Sequence, residues 1–560
     1  MSTNNLETRW DPGAGLFLTP PERSGHTTDC FGQKNLHTLP DSVSFMTYAA
    51  LTGRLKEIDC LRILQNIKDC QFQDAERRGL IKWYLEDRDQ TDGNAPFFIC
   101  QGLIPLRKYF AKELGEPACQ LMDAILSETL HYFMHKCEHW GCHYPNSFLG
   151  DIVFAWIINE MCGTESNDAI LLKKLNGSAR YWIEEGWGWG EHMSDIYAMV
   201  CNYQISILIL MSERLPKVTR ELYVEALRQL LSIEERFGGK PRVPAIRSYS
   251  FVETPQAHPF RLAIREWLPD EAVVIGNLPP LGPMLQRLGW HEMAPPQANP
   301  EKEIEVACFN GTKATAFVES DFRLGAMSRY PIMDCCDHQT WGLSWQSFPV
   351  AFLHDAGDWG FLQWAAIEDG NTYAHPCHKK NFDQIKGLTT KVNPPIVGNT
   401  FSVMRGGNLL VLRRMPAISK GWTKLTDRLR VISPTASFRE QKIGENVSIL
   451  NFKWQGRTLS VARVTLSSIP LHKNAHRDGG VLDWDIEYEA SAIQTMSDAV
   501  VLWAFCTDGE ITESPVIKPE ELLRRGSSVE NGVFDLDWKA GTVAWHLNIN
   551  PVSDRPFTEI

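Results

Sequence analysis

The sequence predicts a multidomain α+β protein, an N-terminal (α/α) toroid or incomplete barrel followed by a C-terminal antiparallel β-sandwich. Three observations carry that expectation. Residues 40 to about 235 repeat their apolar positions at helical spacing, prolines thicken between about 237 and 300, and beyond 301 the period falls to two. A chain of 560 residues is also too long for one typical core. The expected division is an N-terminal extension over 1–39, a helical catalytic domain over 40–300 and a sheet domain over 301–560.

In the helical part, Leu121, Met122, Ile125, Leu126, Leu130, Phe133 and Met134 form one stripe. Similar patterns predict helices over 43–53, 57–70, 98–114, 147–162, 167–184, 193–213 and 217–236, joined by short polar loops. A series of antiparallel helix pairs suits a toroid whose inner helix ends form one cleft. After the proline-rich segments GGKPRVP, LPPLGPM and APPQANPEK, strands are predicted in EIEVACF, KATAFVES, FSVMRGG, NLLVLRRM, RLRVISP, VSILNFKW, RTLSVARVTL, DWDIEYEA, AVVLWAF and GTVAWHLNI. So many strands between polar turns imply stacked antiparallel sheets.

Composition narrows the function. Hydrophobic residues at 43% and charged residues at 22% describe an ordinary globular protein. A net charge of −12 argues against nucleic acid or an anionic membrane as the partner. It still permits an anionic sugar held by a local cation. No basic segment followed by an apolar stretch opens the chain, and the apolar run around Ile205 to Met211 is too short to span a bilayer. Fourteen irregularly spaced cysteines read as reduced, buried thiols. A cytoplasmic location is expected, unless an export signal has been removed, and a homodimer is compatible with everything above. The 19 tryptophans divide between core packing and platforms for the apolar faces of sugar rings.

Two loop-to-helix junctions concentrate the chemistry. The first presents His143, Tyr144 and Asn146; the second, EEGWGWGEHMSDIY, presents Trp187, Trp189, Glu191, His192 and then Tyr197, with glycines that let the loop bend. Tryptophans beside acids and a phenol suit sugar binding and proton transfer. Each residue has a plainer reading. Tyr197 fits as a helix tyrosine closing the core, and Asn146 as the N-cap of a helix starting at Ser147. His143 fits as a loop histidine, and Glu191 and His192 as structural hydrogen-bonding groups. A second cluster, KWYLEDRDQTDGN, holds Glu86, Asp87, Arg88, Asp89, Asp92 and Asn94; Arg88 could clamp a carboxylate, or the segment is a solvated turn. Arg242, Arg247 and Tyr249 are further cationic or aromatic candidates.

An all-helical region followed by sheets, with His/Asn and Tyr at helix mouths, resembles the heparinase II/III-like polysaccharide lyases and their toroid-plus-sandwich relatives. In that family a Tyr follows a Gly- and Glu-containing loop, an Asn or His lies about fifty residues earlier, and a His follows well over a hundred residues later. Tyr197, Asn146 or His143, and His338 in DCCDHQTWG occupy those places. The resemblance implies β-elimination from uronic-acid-containing glycans. Asn146 or His143 would neutralise the uronate carboxylate. Tyr197 would serve as base and acid, and His338 would be a second proton-transfer or orienting group. Gln339 and Trp341 beside His338 would contact substrate, with Arg88, Trp187, Trp189, Glu191, His192, Arg247 and Tyr249. Elimination requires no cofactor. Some relatives hold a structural zinc near the start of the sheets, and His354, Asp355, His375 and His378 offer zinc or calcium ligands there without a tight motif. The strongest rival is a uronidase-type glycoside hydrolase pairing Glu191 or Asp195 with Asp89, Asp92 or Asp337. The third is a non-catalytic sugar-binding protein.

Overall fold

In the computed structural model, which describes residues 9–19, 35–89, 91–163, 165–188, 190–238, 240–248, 301–333, 347–368, 371–372, 399–414, 424–443, 446–466, 472–493, 499–518 and 533–560, the chain is a mixed α+β protein of two compact units. The first contains the described residues up to His192 together with Ile196–Glu235. The second contains Met193–Asp195 and the described residues from Arg236 onward.

Helices of the first unit are α1 (Leu39–Leu51), α2 (Cys60–Asp69), α3 (Ala95–Tyr109), α4 (Ala111–Leu114), α5 (Glu116–Cys137), α6 (Pro145–Met161), α7 (Asp168–Glu185), α8 (Asp195–Met211) and α9 (Lys217–Arg236). Three of them, α3, α6 and α8, are apolar on every side. Ala95 to Leu106, Pro145 to Asn159 and Tyr197 to Ile209 are buried without a break. A helix with no polar face must lie inside. Side-chain hydrogen bonds fasten the three together: Tyr203 Oη donates to the Gln101 carbonyl at 3.2 Å, and Gln204 Nε2 to the Asn146 carbonyl at 3.0 Å. By contrast α7 buries one stripe, Leu171, Leu175, Ser178, Ala179 and Trp182, and so lies on the outside. Predicted and observed helix bounds differ by up to five residues at the ends. The largest change is at 98–114, where Phe110 interrupts the helix and a four-residue turn follows.

The expected extension over 1–39 carries structure of its own. Strands β1 (Trp10–Asp11), β2 (Leu16–Leu18) and β3 (His37–Thr38) form an antiparallel sheet. His37 joins it to the 86–92 loop: Nδ1 lies 2.5 Å from Glu86 Oε1 and Nε2 3.1 Å from Asp11 Oδ2. Burial alone would depress this imidazole. The hydrogen bonds to the two carboxylates outweigh it and raise the pKa above its ordinary value. A raised folded-state pKa gives stabilisation that is complete below the unfolded value of about 6.5 and is lost as pH rises through the folded value. The melting temperature is therefore expected to step down on raising pH from about 6 toward 8. His37→Gln should flatten that step; an unchanged step would assign it to another group.

In the second unit the strands are β4 (Glu303–Ala307), β5 (Lys313–Val318), β6 (Phe322–Met327), β7 (Arg329–Tyr330), β8 (Val350–His354), β9 (Asp358–Glu368), β10 (Asn371–Thr372), β11 (Asn399–Arg405), β12 (Asn408–Arg414), β13 (Lys424–Ile432), β14 (Ser437–Ile443), β15 (Val447–Trp454), β16 (Arg457–Thr465), β17 (His472–Asp478), β18 (Val481–Glu489), β19 (Val500–Cys506), β20 (Val516–Lys518), β21 (Phe534–Ala540), β22 (Val543–Ile549) and β23 (Phe557–Glu559). A nine-stranded sheet runs β17-β18-β13-β9-β8-β6-β5-β4, with β10 on β9. A seven-stranded sheet runs β14-β15-β16-β19-β12-β11-β7, and a four-stranded one β20-β21-β22-β23.

The central strands of the seven-stranded sheet, β12 and β19 among them, are buried on both faces. Leu409 and Val411 of β12, with Trp503 of β19, share a core with Leu425, Leu429 and Trp484 of the nine-stranded sheet. Their neighbours Leu410, Leu412 and Leu502 pack instead against Leu536, Trp538 and Trp545 of the four-stranded sheet. This is why NLLVLRRM and AVVLWAF are continuously apolar rather than alternating. Strands such as FRLGAM, VAFLH and SFREQKI escaped the sequence reading, because they are short or polar on the surface.

Among the described residues ten cysteines are free thiols, eight of them buried. None of the described helices is long and apolar enough to cross a membrane.

Candidate active site

Helix α6 starts at Pro145, whose missing N–H costs nothing in a first turn. The expected start at Ser147 with Asn146 as N-cap is therefore corrected: Tyr144 is the cap residue and Asn146 lies inside the first turn. The unpaired amides there take a remote acceptor. Glu191 Oε2 accepts from the Asn146 backbone N–H at 2.8 Å, and Oε1 accepts from Asn146 Nδ2. Glu191 is fully buried, so its charge is offset by these donors and by the positive end of α6. Asn146 is buried too, with one of its two amide N–H groups committed to Glu191.

The two loops before α6 and α8 interlock. Trp182 Nε1 donates to the Cys142 carbonyl at 2.8 Å. A Cβ on Gly188 would stand 2.6 Å from the His143 carbonyl oxygen, so only glycine allows this approach. His143 sits half-buried at this junction. Burial pushes its imidazole below the ordinary histidine range, against a smaller opposing pull from Glu191. His143 is thus neutral at neutral pH.

The residues that lead into α3 reach the same helix end. Ser147 Oγ donates to Asn94 Oδ1 at 2.9 Å, and Tyr132 Oη donates to the Gly93 carbonyl at 3.0 Å. Behind it Lys136 Nζ meets Asp151 Oδ2 at 2.6 Å. Burial raises the Asp151 carboxyl to about 6, while its negative charge keeps Lys136 protonated. Asp87 Oδ2 accepts from the Trp83 and Tyr84 amides and from Thr91 Oγ1, so it shapes the loop. Arg88 and Asp89 at its tip are exposed.

The structure therefore brings His143, Asn146 and Glu191 together at one helix mouth, with the Arg88 loop tied to it. His192 and Tyr197 are buried at the start of the α8 region, 1% and 9% exposed. Trp187 differs from its expected role as a sugar platform. A positive φ of 61° turns it inward, where it stacks on Trp182 with centroids 5.4 Å apart and rings 6° from parallel. It is 2% exposed, as befits a ring packed inside. Arg242 and Arg247 of the second unit are likewise buried, and the Arg247 amide donates a hydrogen bond to Ser347 Oγ at 3.1 Å. Their guanidinium groups are packed rather than presented.

The described residues do not fit a metal centre. His354 Nδ1 accepts from the Ala356 amide at 3.2 Å, its ring stacks on Trp454, and Asp355 is paired with Arg323 and Lys240. No described group of three His, Cys, Asp or Glu is placed to share an ion. Trp189, Tyr249, Asp337, His338, Gln339, Trp341, His375 and His378 lie outside the described residues, as does the side chain of Asp195.

Sequence reasoning missed Trp140, Ser147 with Asn94, and the Lys136–Asp151 pair. An indole three residues before His143 was the available signal for the first. The others depend on contacts between distant segments.

The fold and site define a mixed α+β protein with an amide, an imidazole and a buried carboxylate at the mouth of an inner helix. No protein-family profile matches the chain, and no curated protein does either. Among solved structures the chain is similar to a crystal structure of heparinase III at 10% identity, covering 95% of this chain and 85% of that one with a TM-score of 0.47. It is also similar to a heparinase III with methylated lysines at 7% identity, covering 98% and 91% with a TM-score of 0.43.

Proposed function

We propose that the chain is a lyase that cleaves uronic-acid-containing oligo- or polysaccharides by β-elimination, on an (α/α) toroid joined to a β-sandwich. The observation that supports this best is the engagement of Glu191. Hydrolysis needs two carboxyl groups free to flank a glycosidic bond. Glu191, the expected hydrolytic acid, is fully buried with both oxygens on Asn146. Among the described residues, His143 lies at the mouth of α6 with Glu191, and His192 and Tyr197 lie at the start of α8, side chains that suit proton abstraction.

In this reading the free N–H of Asn146 donates to the uronate carboxylate and stabilises the charge that develops as the C5 proton leaves. Tyr197 or neutral His143 takes that proton. The C4–O bond breaks as the C4–C5 double bond forms, and Tyr197 returns a proton to the departing oxygen. His338 serves as the second proton-transfer or orienting group. Arg88, on the loop tied to α6, holds a terminal carboxylate. Such a substrate is anionic, and a cytoplasmic enzyme would meet it as short imported chains.

Elimination leaves an unsaturated uronate with its own ultraviolet absorbance, and hydrolysis leaves none. Rising absorbance with uronic-acid glycans is the expected result; reducing ends released without it would establish hydrolysis instead. The rate is also expected to fall on the acid side with an apparent pKa below about 6.5, because burial depresses His143. His143→Ala should remove that limb, and a limb that persists unchanged would belong to another group.

A further inference from the structure

Trp140 is 48% exposed, unusual for an indole whose position is fixed. It lies in the loop between α5 and α6, three residues before His143. Its six-membered ring rests on α7 at Gly177, where an added Cβ would stand 2.9 Å from Cη2 and 3.4 Å from Cζ3. Phe148 of α6 packs on it at 5.6 Å, and Lys174 Nζ lies 5.6 Å from the ring centroid. Lys174 is itself steadied by the Glu138 carbonyl at 3.4 Å. One helical turn separates Lys174 from Gly177, and the Lys174 ammonium sits over the indole ring. With nearly half of the side chain exposed, part of the indole surface remains open.

We propose that Trp140 and Lys174 form an outlying subsite for an acidic sugar residue, extending the chain bound at His143 and Asn146. This rests on the reading of the site as one that binds uronate glycans. The chemistry is complementary. The C–H face of a pyranose is apolar and weakly positive and stacks on an indole face. The sugar's carboxylate or sulfate is drawn to the ammonium held at the same indole. Three residues of chain span at most about 11 Å, so the platform lies within reach of a short oligosaccharide seated at His143. A pre-positioned ring also loses little conformational freedom on binding, which distinguishes it from an ordinary mobile surface side chain. Gly177 is the residue that makes this possible, since a side chain there would lift the indole off the helix.

Trp140→Ala and Lys174→Ala test the subsite in the full chain, with short and long oligogalacturonate, oligoalginate and glycosaminoglycan fragments as probes. Binding is read by calorimetry and elimination by ultraviolet absorbance. Trp140→Ala is expected to weaken binding of the long probe about three- to tenfold more than that of the short one. Lys174→Ala should act in the same direction and reduce the salt dependence. Equal affinities in wild type and Trp140→Ala, or equal losses for short and long probes, would overturn the subsite. Length-dependent loss of binding without any elimination product would leave the subsite standing and remove the lyase reading. Elimination with an unaltered KM for long probes would do the reverse. No binding of any probe overturns the subsite as well.

Discussion

Tyr197→Phe is expected to remove nearly all turnover while leaving the fold intact, by about 10²–10⁴-fold in kcat, the usual contribution of general acid–base catalysis. Only the phenol oxygen is lost, and the ring remains to fill its place in a helix buried without a break from Tyr197 to Ile209. The comparison that gives the result meaning is Asn146→Ala. If Asn146 stabilises developing charge, that variant lowers kcat more than it raises KM. If it serves only to seat Glu191 on the first turn of α6, the loss is one of stability, about 1 kcal/mol or somewhat more because a buried carboxylate loses a donor. Initial rates beside thermal melts separate the two. Near wild-type kcat in a folded Tyr197→Phe protein would remove Tyr197 from the mechanism.

The second large effect concerns Lys136 and Asp151. The carboxylate is 4% exposed and the lysine 25%, so the two halves of the pair are not equivalent. Lys136→Met strands a charge away from water and should cost about 3–5 kcal/mol, the range for breaking a buried pair. The loss should be greater at neutral pH than near pH 5, because protonation relieves a buried carboxyl whose pKa is already raised to about 6 beside the lysine. Asp151→Asn should cost less, because the Lys136 ammonium keeps the Gly93 carbonyl and part of its hydration. Melting curves of the two variants at both pH values test the asymmetry. Equal losses, or a Lys136→Met loss below about 1 kcal/mol, would show that water reaches the site.

Both effects bear on how the site was legible. Loop glycines, an Asn and a Tyr at the right helix ends could be read along the chain, because helix starts are local events governed by a few side chains. What Glu191 does was not legible. Its carboxylate serves a helix forty-five residues away, and that assignment exists only once α6 and α8 are packed. Trp187 misled for a related reason. A tryptophan between glycines looks presented, yet a backbone turn at positive φ sends it onto Trp182. Trp140, given no role by the sequence reading, is among the described residues an indole left in water.

The same division runs through the whole fold. The amino-acid sequence by itself determined the order of helices then strands, the all-round apolar character of the inner helices, and the residue types available for proton transfer. These follow from periodicity and composition, which each segment carries alone. Tertiary structure alone decided that the sheets stack in three layers, that His37 links the N-terminal sheet to the 86–92 loop, and that Glu191 closes α6. The reason is physical. A buried polar group must find its partner among whatever the fold brings within hydrogen-bonding distance, and distance in space is not written in distance along the chain.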